Sequence, residues 1–138
     1  MAKKILICDD DLHILRAAEF KLKRAGFEVH CASDGQEGWE IAQQEHPDMV
    51  ITDCQMPRLD GLGLAQRVHT TPETTGIPVV MLTAKGLELP HDQLADELGI
   101  IAVLNKPFSP RELLKIVGQI IETGKYHPHQ SCQPSFAF

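Results

Sequence analysis

The chain has 138 residues and a mass of 15.3 kDa, the size of one ordinary domain. Hydrophobic residues make up 43% and charged residues 23%, which supplies a packed core and excludes compositional disorder. A formal net charge of −6 and a pI of about 5.6 exclude a sequence-independent grip on nucleic acid, which needs clustered Lys and Arg.

No apolar run approaches the roughly 20 residues of a membrane span. The opening MAKKILICDD turns acidic straight after a short apolar run, unlike a secretory leader. The four cysteines, Cys8, Cys31, Cys54 and Cys132, lack the CxxC spacing of a zinc or redox site. Cys8, Cys31 and Cys54 fall in or beside apolar runs, where a buried free thiol is expected. A soluble, cytoplasmic, single-domain protein with no membrane or nucleic-acid partner is expected.

Taken in chain order, Lys4 to Cys8 (KILIC) is a short continuous apolar run, the pattern of a strand buried on both faces. From Asp11 to Ala25 the period becomes helical, with Leu12, Leu15, Ala18, Leu22 and Ala25 on one stripe and Gly26 as the stop. Glu28 to Ala32 is a weaker second strand. A helix follows from Gly35 to Glu45, with Trp39 as a packing residue, and Pro47 closes it off. Asp48 to Thr52 is a third strand, Leu62 to His69 a helix, Ile77 to Leu82 a fourth strand and Ile100 to Leu104 a fifth. Between the last two, a helix is predicted over about Asp92 to Leu98. Ser109, Pro110 and Glu112 form a capping signature for a last helix running to about Thr123. The domain is predicted over 1–123. The segment 124–138 has two prolines and no period, and is predicted to be a disordered or loosely docked tail.

Strands alternating with helices in this way predict a (βα)5 doubly wound α/β fold with a parallel sheet covered on both faces. In such sheets ligands bind at the carboxyl ends of the strands. Asp9, Asp10 and Asp11 follow the first strand, Asp53 the third, Thr83 and Ala84 the fourth, and Lys106 and Pro107 the fifth. Each is weak alone: an acidic run after a strand is an ordinary helix cap, and a Lys before Pro an ordinary loop residue. Placed together they are more specific. Carboxylates at one mouth repel one another without a cation, and hard oxygen donors suit Mg2+. A hydroxyl and an ammonium opposite them suit phosphoryl oxygens.

The stretches KILICDDD, VITDCQMPRLDG, VVMLTAKG and VLNKPF carry a resemblance to the receiver domain of two-component response regulators. It covers about Lys3 to Thr123, and DxxMPxxDG followed by a downstream KPF is its most specific part. The resemblance implies a flavodoxin-like strand order 2-1-3-4-5. It implies Asp53 as the phosphoacceptor, served by a histidine kinase or a phosphotransfer protein. Mg2+, or Mn2+ as a substitute, would take side-chain oxygens from Asp10 and Asp53 and the backbone carbonyl of Gln55, with Asp9 acting mainly through a bound water. Thr83, the Ala84 backbone N–H and Lys106 would meet the phosphoryl group. The Lys106–Pro107 bond would be cis, and Met56, Pro57 and Gly61 would shape the loop. Output to an unknown partner would run through the 85–123 face, with homodimerisation on phosphorylation as one form.

One position departs from the family. The usual aromatic three residues before the lysine is Val103, a core strand residue in its plainer reading, so the ring-swing route of signalling is in doubt. Three other readings compete with the phosphoaccepting receiver. A phosphate-independent receiver acting as a binding module is argued against by Asp9, Asp10, Asp53, Thr83 and Lys106. An Asp-nucleophile phosphohydrolase would need an acid–base residue at Gln55, which cannot shuttle a proton. A flavin carrier would need a Ser/Thr/Gly-rich phosphate loop where Asp9 to Asp11 stand.

Overall fold

The computed structural model describes residues 2–84 and 98–123. Five strands, β1 (Lys4–Cys8), β2 (Glu28–Ala32), β3 (Met49–Asp53), β4 (Val79–Thr83) and β5 (Ile100–Asn105), form one sheet in the order β2-β1-β3-β4-β5, every pair parallel. Four helices are described: α1 (Leu12–Arg24), α2 (Gly35–Glu45), α3 (Gly61–Thr70) and α4 (Pro110–Thr123). The doubly wound fold and the strand order are those expected. Residues 85–97, which hold most of the helix expected over about Asp92 to Leu98, and the tail 124–138 lie outside the described residues.

Alternation along the strands divides the core into two layers. Ile5, Ile7, Met49, Ile51, Val80, Leu82, Ala102 and Leu104 face one side, where Leu15, Ala18 and Leu22 of α1 and Leu113, Ile116, Val117 and Ile120 of α4 cover them. Leu6, Cys8, Val50, Val79, Met81, Ile100 and Val103 face the other, under Ala42 of α2 and Leu64, Ala65 and Val68 of α3. Trp39 packs partly buried on that second layer, as expected. Ile101 is an extra residue in the β4–β5 ladder: Val79 pairs with Ile100 but Val80 with Ala102. This bulge resets the phase of β5.

Local chemistry sets the helix ends. Asp11 caps α1, accepting from the His13 and Ile14 N–H groups, and Asp34 and Asp60 cap α2 and α3 likewise. In α4 the capping box closes both ways: Ser109 Oγ accepts from Glu112 N at 3.1 Å and Glu112 Oε1 from Ser109 N at 3.3 Å.

Two sequence expectations need correction. The α1 stripe is narrower than predicted: Leu12 is 59% exposed and Ala25 is exposed. At 100° per residue Leu12 lies about 60° round the helix from Leu15, on the margin of the buried arc, while Ala25 falls on the C-cap. The third and fourth strands also sit later than predicted, ending on Asp53 and Thr83 themselves. Pro78, without an N–H, stands just before the β4 ladder. Both polar residues therefore belong to rigid strand ends.

Candidate phosphoryl and metal pocket

The chain runs from β1 out to β2 and back past β1 to β3, so the switch in winding direction falls between the carboxyl ends of β1 and β3. An open pocket of about 620 Å3 lies at that end of the sheet, lined by Asp10, Asp53, Cys54, Gln55, Met56, Thr83, Ala84 and Lys106. Asp9 lies fully buried beside it. The ladder bonds continue past the strands, from Cys54 N to Leu82 O and from Lys106 N to Thr83 O, both 2.8 Å, which holds the loop starts in place. The Lys106–Pro107 peptide is cis, as the resemblance implied.

The acidic run after β1 is split three ways. Asp11 turns away to cap α1, Asp10 faces the pocket, and Asp9 points inward, its Oδ1 accepting from Asp11 N at 2.9 Å. Lys106 Nζ bridges Asp9 Oδ2 at 3.0 Å and Asp53 Oδ1 at 3.3 Å. Burial pulls the Lys106 ammonium down, but bonds to Asp9 and the charges of Asp9 and Asp53 outweigh it, so its pKa lies above the usual lysine value. Burial pushes Asp9 above the usual carboxylate range, although the Asp11 N–H and Lys106 pull the other way.

Carboxylate oxygens of Asp9, Asp10 and Asp53 come within 4.8 Å of one another, with the Lys106 ammonium among them. Three carboxylates and one ammonium leave the mouth short of positive charge. Hard, closely spaced oxygens with an open side are a donor set that fits Mg2+. Glu28, His30 and Glu45 form another close group, at the amino ends of β1 and β2 and away from the mouth. It closes on itself: His30 Nε2 lies 2.8 Å from Glu28 Oε2, and Lys4 Nζ 3.3 Å from Glu45 Oε1.

Asp9's raised pKa has a stability consequence in the metal-free protein. Between 3.8, the ordinary value, and its higher folded value, the folded state binds the extra proton, so stability falls as pH rises through that window. Asp9→Asn should remove that fall. Denaturant titrations across pH should show the variant gaining on the wild type from about pH 3.8 upward, then levelling off. Lys106, whose pKa is also raised, has the same sense at alkaline pH: its contribution is complete below 10.5 and lost as pH climbs through its raised value.

Gly61 sits directly under the start of the loop that follows β3. A Cβ there would overlap the Asp53 carbonyl oxygen and lie 2.9 Å from Cys54 Cα, while Gly61 N donates to Cys54 O at 2.9 Å. Gly61→Ala is expected to cost about 1–3 kcal/mol by forcing backbone apart, measurable as a lowered denaturant midpoint. Among the described residues, the three cysteines are held toward the protonated thiol. Cys8 is buried with its thiol pushed well above normal, burial lifts Cys31 to about 11, and burial with the charges of Asp60 and Asp53 raises Cys54. Val103 is wholly buried beside Met81, a core residue in the second layer.

A family model for the response regulator receiver domain matches residues 5–118. This chain belongs to the response regulator receiver family. A relative in Cyanophora paradoxa named "Probable transcriptional regulator ycf27" is 43% identical to the receiver over 111 residues, covering 80% of this chain and 45% of the relative. The chain thus spans less than half the length of that relative. Chemotaxis response regulator CheY4 of Vibrio cholerae is 31% identical with a TM-score of 0.78, covering 87% of this receiver and 99% of CheY4. A CheY-like receiver domain protein of Methanospirillum hungatei is 28% identical with a TM-score of 0.79, over 88% of this chain and 95% of that one.

Of the metal and phosphoryl residues expected from sequence, Asp10, Asp53, Gln55, Thr83, Ala84 and Lys106 line this mouth and Asp9 lies beside it. What sequence reasoning missed is the support of the Gln55 loop by Asp34, Gly35 and Arg58. Its one visible trace is the Asp34–Gly35 pair after β2.

Proposed function

We propose that this receiver accepts a phosphoryl group on Asp53 from a phosphohistidine of a histidine kinase or phosphotransfer protein, and that the charge it gains changes its affinity for an output partner. The observation that carries this is the convergence of Asp9, Asp10 and Asp53 within 4.8 Å, bridged by Lys106, beside Thr83 and Ala84 in an open pocket.

The residues would share the work as follows. Asp10, Asp53 and the Gln55 carbonyl would hold Mg2+, with Asp9 acting through a bound water. Bound Mg2+, or Mn2+ in its place, supplies the positive charge that lets two anions meet. A carboxylate oxygen of Asp53 attacks phosphorus, the new O–P bond forms as the P–N bond to histidine breaks, and the imidazole departs with the electron pair. Thr83 Oγ1 and the Ala84 N–H donate to phosphoryl oxygens. Lys106, already beside Asp53 Oδ1, follows the charge onto the phosphoryl group. Hydrolysis of the acyl phosphate by water returns the carboxylate, which makes the receiver a weak enzyme and chiefly a switch. Its place of work is the cytoplasm; no helix among the described residues is long and apolar enough to cross a membrane. Output runs through surface contacts of 85–123, including homodimerisation on phosphorylation. Buried Val103 offers no ring to swing.

The test is incubation with acetyl phosphate, with and without Mg2+, followed by mapping of the modified residue. A Mg2+-dependent acyl phosphate on Asp53 is expected. Its absence with Mg2+ present would favour the phosphate-independent binding module.

A further inference from the structure

The loop Cys54–Asp60 carries Gln55 and Met56 on the pocket wall. Its base is tied by the Gly61 N to Cys54 O bond, and Thr52 Oγ1 lies 3.9 Å from Met56 Sδ. Its far end is held differently. Arg58 has φ of 70°, and Leu59 N donates across it to Pro57 O at 2.8 Å, the pattern of a classical γ-turn that non-glycine residues seldom adopt. Such a conformation persists where its surroundings over-determine it. Here the surroundings are the first turn of α2. Arg58 Nη1 lies 3.3 Å from Asp34 Oδ2, while Asp34 Oδ1 accepts from Glu37 N at 2.8 Å and so caps the helix. Next to it, Gly35 lies against Leu59 so closely that a Cβ would overlap the Leu59 carbonyl oxygen.

We infer that the N-terminus of α2 is a clasp on this loop: Asp34 and Gly35, through Arg58 and Leu59, position the Gln55 carbonyl at the mouth and thereby set the affinity for Mg2+. The inference deepens the proposed function and rests on it for the metal. Asp34, Gly35 and Arg58 are positioning residues, since none lines the pocket.

Charge separates the clasp from a trivial field effect. By field alone, Arg58→Gln removes a positive charge near an acidic mouth and should tighten Mg2+, while Asp34→Asn removes a negative charge and should weaken it. The clasp requires both to weaken Mg2+, and the double variant to be no worse than either single one. Asparagine keeps the helix cap, so the fold is retained. The experiment titrates Mg2+ alone into wild type, D34N, R58Q and the double variant by calorimetry. It also measures amide exchange at Leu59 and Gly61 in the metal-free proteins. The expected result is an affinity loss of about two- to five-fold in each single variant, the scale of one exposed ion pair, without further loss in the double, and faster exchange at both amides. Opposite-signed changes, additive losses or unchanged exchange would overturn the clasp. Failure of the wild type itself to bind Mg2+ would instead overturn the proposed function, with amide exchange then deciding the clasp by itself.

Discussion

Replacing Asp53 by Ala will abolish Mg2+-dependent formation of an acyl phosphate from acetyl phosphate, a loss of roughly a thousandfold or more, the scale on which removal of a covalent nucleophile acts. Asp53 ends β3, with its side chain 12% exposed and its Oδ1 against Lys106. Asp9 is buried and held by Asp11 N and Lys106, and Asp10 belongs to another strand end, so neither occupies the place from which Asp53 would attack. Lys106→Ala and Thr83→Ala should each lower the rate by about a hundredfold without abolishing it, because each removes one donor to the phosphoryl oxygens while the nucleophile remains. Intact-mass measurement over time distinguishes these patterns. A modified Asp53→Ala protein would show that another group accepts the phosphate and would sink the assignment.

Mg2+ is expected to raise the melting temperature of the wild type, and Asp10→Ala to erase that rise. A cation bound to the native state alone stabilises by about 2.7 kcal/mol at one hundred times its Kd, which is roughly 10 °C in Tm for a domain of this size. Asp10 lines the pocket and does not cap α1; that is the work of Asp11. The variant should therefore match or exceed the wild type without metal, since one of three crowded carboxylates is gone. Thermal scans with and without Mg2+ check both halves. A clear drop in metal-free Tm would mean that Asp10 holds the fold and would weaken its assignment to the metal.

Much of this arrangement was legible along the chain. The five apolar strand runs, the helix between each pair of the first four and the capping box at Ser109 are local signals, written in side-chain period and turn chemistry. The polar residues after the strands could be read as one mouth because parallel winding puts all carboxyl ends on one side. The run Asp9–Asp11 shows where such reading stops. Three identical side chains in a row have no sequence feature that assigns one to the core, one to the pocket and one to the helix cap. Pairing of β1 with β2 and β3, and the direction in which α1 leaves the strand, decides it.

The composition and periodicity of this chain by themselves determined an acidic parallel α/β domain with polar residues gathered at the strand ends, because burial and hydrogen bonding leave few other solutions for that pattern. The tertiary structure alone decided that Asp9 is buried with its pKa raised, that Lys106 bridges it to Asp53, and that Leu12 lies outside the core. It alone also brought Asp34 and Gly35 of α2 against Arg58 and Leu59, about two dozen positions later. Such contacts join residues far apart in the chain, and their energies depend on distance and solvent exclusion, neither of which is a property of a residue's neighbours in sequence.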